Sequence, residues 1–103
     1  MKETEIQRAI CDYLAFKRYF FWRNNNTPIF DPTRKTFRAM PKYTMRGIPD
    51  IIVVHEGSFI GIEVKRDKGV LSEYQKEFKS LCENNGATYF MVKSLDDVIA
   101  QGL

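Results

Sequence analysis

The sequence predicts an α/β fold, a mixed central sheet with helices packed on it. Three observations predict it. Segments 4–18 and 72–83 repeat apolar residues at helical spacing. Between them, Ile51-Ile52-Val53-Val54 is a β-branched run suited to a central strand buried on both faces. Glu56-Gly57 then supplies a two-residue turn, and 58–66 returns as the second arm of a hairpin. Helices alternating with strands in a chain of 103 residues make one domain, 1–103, with one core.

Taken in order, the first helix places Ile6, Ile10, Tyr13, Leu14 and Lys17 on one face, with no Gly or Pro inside it. Tyr19-Phe20-Phe21-Trp22 is an aromatic run that favours a strand. Asn24-Asn25-Asn26-Thr27-Pro28 ends it with turn-forming residues. The next twenty residues, to Gly47, have no clean period and read as a long functional loop with one short strand at 36–39. After the hairpin, Ser72 is a credible N-cap for the second helix, whose stripe is Leu71, Tyr74, Phe78, Leu81 and Cys82, and Asn85-Gly86 stops it. A strand over 87–93 and a short helix over 95–100, capped by Ser94, close the chain.

Composition removes several classes of protein. Hydrophobic residues at 44% and charged residues at 28% are globular values, which excludes wholesale disorder. Apolar runs such as Ile51 to Val54 fall far short of the ~20 residues of a membrane span. The polar opening Met1-Lys2-Glu3-Thr4-Glu5 has no apolar segment behind it, so an intracellular, cytoplasmic protein is expected. Cys11 and Cys82 are read as reduced thiols, and one histidine cannot complete a Cys/His zinc site. The net charge of +3 conceals an asymmetry. Residues 17–46 hold eight basic side chains and one acid, Asp31, while the remainder is net acidic. Such a block suits a polyanionic partner.

The hairpin is where chemistry is expected. With Glu56 and Gly57 at the turn, counting back along both arms sets Asp50 opposite Glu63. Opposed side chains share a face with Cβ atoms roughly 4.5–5.5 Å apart, so two carboxylates there repel unless a cation or a proton intervenes. Ile60, Ile62 and Val64 form the core face of the second arm. Phe59, Gly61, Glu63 and Lys65 therefore form the other. Two acids and a lysine on one face suit an oxygen-liking divalent cation, Mg²⁺ or Mn²⁺, beside a phosphodiester. The plain alternative is a solvated face carrying weak surface ion pairs. A register slip of one residue would undo the pairing.

Gly47-Ile48-Pro49-Asp50, then Glu63-Val64-Lys65, then Leu71-Ser72-Glu73-Tyr74-Gln75 resemble the virus-type replication-repair nuclease (VRR-NUC) domain of the PD-(D/E)xK superfamily. The resemblance spans nearly the whole chain, from Glu3-Thr4-Glu5-Ile6-Gln7 to the last strand. It implies a restriction-endonuclease-like core similar to Holliday-junction resolvases. It also implies Asp50, Glu63 and the backbone carbonyl of Val64 as metal ligands, Lys65 as the catalytic lysine, and Gln75 as a polar site residue on the second helix. It further implies a glutamate of the first helix near the metal. Glu3 is favoured because it projects on the side of Ile6 and Gln7, and Glu5 is the alternative.

Arg34, Lys35, Arg38, Lys42 and Arg46 precede the Gly-x-Pro-Asp element and can line the approach of a phosphate backbone, with Asn24, Asn25 and Asn26 adding neutral contacts. His55 reads as a surface residue, and Phe20, Phe21 and Trp22 as core or dimer interface. The function expected is a metal-dependent endonuclease acting on branched DNA, plausibly four-way junctions, as a homodimer. The other reading is a non-catalytic nucleic-acid-binding module that keeps the nuclease fold.

Overall fold

The computed structural model describes residues 1–24 and 41–103, together with the backbone of 30–31 and 36–37. Its elements are α1 (Glu3–Phe16), β1 (Phe20–Arg23), β2 (Phe30–Asp31), β3 (Thr36–Phe37), β4 (Ile51–His55), β5 (Ser58–Val64), α2 (Glu73–Asn84), β6 (Thr88–Val92) and α3 (Leu95–Ala100). The main sheet runs β1-β4-β5-β6. Its first three strands are antiparallel, and β6 lies parallel to β5 after the crossover through α2. This is the mixed α/β sheet expected. The single strand expected at 36–39 is instead two residues long and pairs with β2, which periodicity did not reveal.

The first helix stops two residues earlier than its apolar spacing suggested. Arg18 takes a left-handed conformation (φ 63°), the Tyr19 N–H donates to the Leu14 carbonyl, and the Arg18 N–H donates to that of Ala15. That is a Schellman ending without a glycine. Ile6, Ile10 and Leu14 of α1 pack with Val98 of α3 on Ile51, Val53, Ile62, Val64 and Val92, the principal core. The Tyr13 and Tyr19 hydroxyls both donate to the Leu103 carbonyl, tying the last residue to this layer.

The opposite face is covered by α2 only in part. Phe78 packs on Tyr89 of β6, and Cys82 is buried. Tyr74 and Leu81, expected in the buried stripe, are exposed, because α2 covers the β6 side of the sheet and leaves β1 open. Phe20 (66% exposed) and Trp22 (41%) stand on that open part, whereas Phe21 turns to the α1 core. Among the described residues no helix is long and apolar enough to cross a membrane.

Two glycines lock the Gly-x-Pro-Asp turn into place. A Cβ on Gly47 would stand 2.3 Å from the Tyr74 carbonyl oxygen, so the turn lies directly against the first turn of α2. A Cβ on Gly61 would stand 2.6 Å from Cγ of the fully buried Pro49. The proline ring thus occupies the space that a side chain at 61 would need.

Gly47 and Gly86 share a positive φ (76° and 80°), but a Cβ at 86 meets nothing within 4 Å. Gly86→Ala should cost roughly 1–2 kcal/mol for the backbone alone. Gly47→Ala should cost a further ~1–3 kcal/mol for overpacking. Urea unfolding of both variants checks this, and equal costs would mean that α2 is not seated on Gly47.

Candidate active site

The hairpin register is the one expected. Ile51 pairs with Ile62 and the ladder continues to His55 and Ser58, so Asp50 stands at the next position, opposite Glu63. Here β4 has left the ladder. The Asp50 carbonyl accepts from Asn24 N–H (2.8 Å), and the Asp50 carboxylate Oδ2 accepts the Val64 N–H (2.9 Å) in place of a strand carbonyl. The Lys65 N–H donates to Val92 of β6 (2.9 Å). Hydrogen-bonding groups of successive strand residues alternate sides, so the N–H and carbonyl of Val64 face away from β6, toward Asp50.

Glu63 is 3% exposed, and its Oε1 has no hydrogen-bond partner. Burial pushes its carboxyl up from 4.5 to about 8. The Asp50 charge and a hydrogen bond between the two carboxyls add to the rise, Lys65 opposes it, and Glu3 contributes weakly. Glu63 is therefore driven toward its protonated form. The Lys65 ammonium lies 3.8 Å from Glu63 Oε2 and is itself largely buried. Gly69 makes room for it, since a Cβ there would stand 2.9 Å from that of Lys65.

The structure brings together Asp50, Glu63, Val64 and Lys65, with Glu3 at their margin. Glu3 is half-buried and its charge reaches Glu63, whereas Glu5 is exposed. Gln75 is used differently from expectation. Its side-chain oxygen accepts the Ser72 N–H (2.8 Å) and its own N–H donates to the Ser72 hydroxyl (3.2 Å), a capping box that starts α2. Its carbonyl oxygen thus serves the cap, and the Ser-x-x-Gln spacing was the signal for it.

Arg46 donates to the Tyr74 hydroxyl (2.8 Å), and Lys42 lies over the Tyr43 ring. Both are exposed, on the chain leading into the Gly-x-Pro-Asp turn. Arg34, Lys35 and Arg38, like Asn25 and Asn26, lie outside the described residues. Asn24 is no free contact. Its side chain donates to the Pro49 carbonyl (2.8 Å) and accepts from the Trp22 indole (3.1 Å), clamping the turn to β1. His55 is partly exposed beside Glu56 and Tyr19.

Two features escaped the sequence. A cleft of about 820 Å³ adjoins the acidic pair through Glu3 and is lined by Arg66, Lys68 and Lys93 together with Asp67 and Asp96, although Asp50, Glu63 and Lys65 do not line it. Its cations come from two loops that only the parallel β5–β6 pairing brings together. Tyr89 is buried on the carboxylate face, and nothing in its local sequence marks it.

The donor set fits a hard divalent cation. Among the described residues no three His, Cys, Asp or Glu side chains enclose a metal by themselves. Two carboxylates, a backbone carbonyl and water are instead what Mg²⁺ usually takes, since it keeps several waters and needs few protein ligands. The orphaned Glu63 oxygen is the observation that favours this fit.

Because Glu63 binds its proton more tightly folded than unfolded, its contribution to stability is full below 4.5 and is lost as pH rises through about 8. The metal-free protein should lose stability across that window, with a slope approaching ~1.4 kcal/mol per pH unit from this group. Glu63→Gln should show a flatter profile and melt above wild type at the alkaline end. Thermal melts in EDTA across the window check both, and identical profiles would show that the buried pair is relieved in some other way.

No family model matches the sequence, and no curated protein is significantly similar to it. Two solved structures match in fold. One, titled "VRR_NUC domain", superposes with a TM-score of 0.64 at 17% identity, covering 95% of this chain and 90% of that one. The other, titled "VRR_NUC domain protein", gives 0.68 at 18% identity, covering 97% and 84%. This chain, with its mixed four-stranded sheet and flanking helices, thus has the α/β fold of VRR_NUC domains.

Proposed function

We propose that this protein is a metal-dependent, structure-selective endodeoxyribonuclease that hydrolyses phosphodiesters in branched DNA, with the four-way junction as the first substrate to test. The observation that carries the reading is buried Glu63 set against half-buried Asp50, with Lys65 at their edge. A fold has no structural need to set a carboxylate against a buried carboxyl, and perturbed acids of this kind cluster at functional sites. The neighbours' titles name a nuclease domain, which agrees with it.

Asp50, Glu63 and the Val64 carbonyl would hold Mg²⁺ or Mn²⁺, with Glu3 behind them. The cation would supply charge neutralisation at the phosphate and a water of lowered pKa. Glu63 must give up its proton to serve as a ligand, so binding is favoured as pH rises. Lys65, on the same face one pleat from Glu63, would donate to a phosphate oxygen as charge develops there. The basic segment 17–46 and the cleft cations Arg66, Lys68 and Lys93 would hold the backbone on either side. A homodimer would supply two sites related by a two-fold axis for paired cuts, and a second copy would cover the exposed Phe20 and Trp22.

Single-turnover cleavage of labelled four-way junction, flap and linear duplex in Mg²⁺, Mn²⁺ or EDTA tests the activity. Asp50→Asn and Glu63→Gln should abolish cleavage while leaving a folded protein. Lys65→Ala should lower the rate ~10²–10³-fold, the scale of losing one preorganised donor. Lys76→Ala, an exposed lysine paired with Glu73, should match wild type. Full activity in both carboxylate variants would sink the assignment, and DNA binding with no cleavage under any condition would favour a binding module.

Charge reversal at Arg34, Lys35 and Arg38 together should weaken binding to every DNA. It should also flatten the salt dependence, by about 0.9 in log K per log salt for each duplex phosphate that the variant no longer neutralises. Fluorescence anisotropy in Ca²⁺ over a salt series reads the slope, and an unchanged slope would make the segment a solvated surface.

A further inference from the structure

Among the described residues, two buried side-chain polar atoms lack a hydrogen-bond partner, Glu63 Oε1 and the Tyr89 hydroxyl. Unpaired buried polar atoms oppose folding, so each needs an explanation. The two belong to one cluster. Strands β5 and β6 are in parallel register with Gly61 beside Tyr89 and Glu63 beside Met91, so Tyr89 is the diagonal neighbour of Glu63 on the same face. The Tyr89 ring lies over Gly61, with Cδ2 3.4 Å from where a Cβ would stand, and shares that space with Pro49, the residue before Asp50.

One orphan is an acceptor and the other a donor. Burial first, then the charges of Glu63 and Asp50, raise the Tyr89 hydroxyl above the ordinary tyrosine value, so it stays protonated wherever the protein is folded. The ring alone does not explain a tyrosine here. Its packing on Phe78, centroid to centroid 6.2 Å, and on Gly61 would be equally well made by phenylalanine. Phenylalanine would also bury no unpaired hydroxyl.

We infer that Tyr89 is a positioning residue of the acidic pair, its hydroxyl donating to the Glu63 carboxylate, directly or through one water, when the pair closes around a divalent cation. This rests on the metal-binding reading above and deepens it. Ionised Glu63 is a stronger acceptor than the protonated acid, and a donor on its outer oxygen fixes which oxygen faces the cation. Tyr89, at 5% exposure, is placed to do so out of reach of bulk water.

The test compares metal-free wild type with Tyr89→Phe by two measurements, melting temperature in EDTA and calorimetric titration with MnCl₂. Loss of an outer-shell donor typically weakens metal binding ~10–100-fold. The variant should therefore bind Mn²⁺ about tenfold or more weakly, yet melt in EDTA at the wild-type temperature or above it. A merely structural tyrosine would move the second quantity downward and leave the first alone. Mn²⁺ affinity within twofold of wild type, or a lower melting temperature in EDTA, would overturn the inference. Failure of wild type itself to bind Mn²⁺ would overturn the metal reading, and this inference with it, before the variant is compared.

Discussion

The structure turns on two carboxyl groups set side by side, one buried and the other half-buried. At neutral pH one of them, Glu63, is driven to keep its proton, chiefly by burial and next by Asp50. Left to itself such a pair would push the strands apart or turn a side chain to solvent. Neither happens, because each residue is held by something other than its own charge. Asp50 is fixed by Asn24 N–H on its carbonyl and by Val64 N–H on its carboxylate. Glu63 sits in mid-sheet, in a strand paired on both sides. The surrounding fold supplies the rigidity that the pair itself works against.

That rigidity has a compact source in the Gly-x-Pro-Asp turn. Pro49 fills the space over Gly61, Gly47 lets the turn lie on α2, and the Asn24 side chain clamps the Pro49 carbonyl to the edge strand. Three elements therefore converge on the four residues that end in Asp50. Displacing any of them by an ångström would move the carboxylate relative to Glu63. The divalent site proposed here would tolerate that poorly, because Mg²⁺ demands near-ideal geometry.

The parts of this arrangement that were legible in the sequence are those fixed by local chemistry. The Glu56-Gly57 turn determined the hairpin register, and the register set Asp50 against Glu63. The alternation along β5 then put Lys65 on the same face. What stayed hidden depends on contacts across a crossover or on competing local bonds. Tyr89 reaches the pair only through the parallel β5–β6 register, which no turn specifies. The cleft cations Arg66, Lys68 and Lys93 meet only because those two strands end together. Gln75 reads as a site residue by its place on the helix, yet the nearer acceptor role at the Ser72 cap takes its oxygen. Tyr74 and Leu81 follow the helical stripe but lie beyond the part of the sheet that α2 covers.

The charge distribution gives the remaining step. A proton on Glu63 and a divalent cation beside it are alternative ways to relieve the same repulsion. If it holds a cation as proposed, the site would have two alternative conditions, protonated without metal and ionised with it. Exchanging one for the other changes the local charge by one positive unit, since a proton leaves as a divalent ion enters. That added charge would lie beside Glu3, at the edge of a cleft whose wall sets Arg66, Lys68 and Lys93 against Glu3, Asp67 and Asp96. On the reading proposed above, a phosphodiester arriving there would meet a wall of balanced charge that the cation makes net positive. Binding of cation and of phosphate would then be mutually reinforcing, which would couple engagement of nucleic acid to the metal-loaded site.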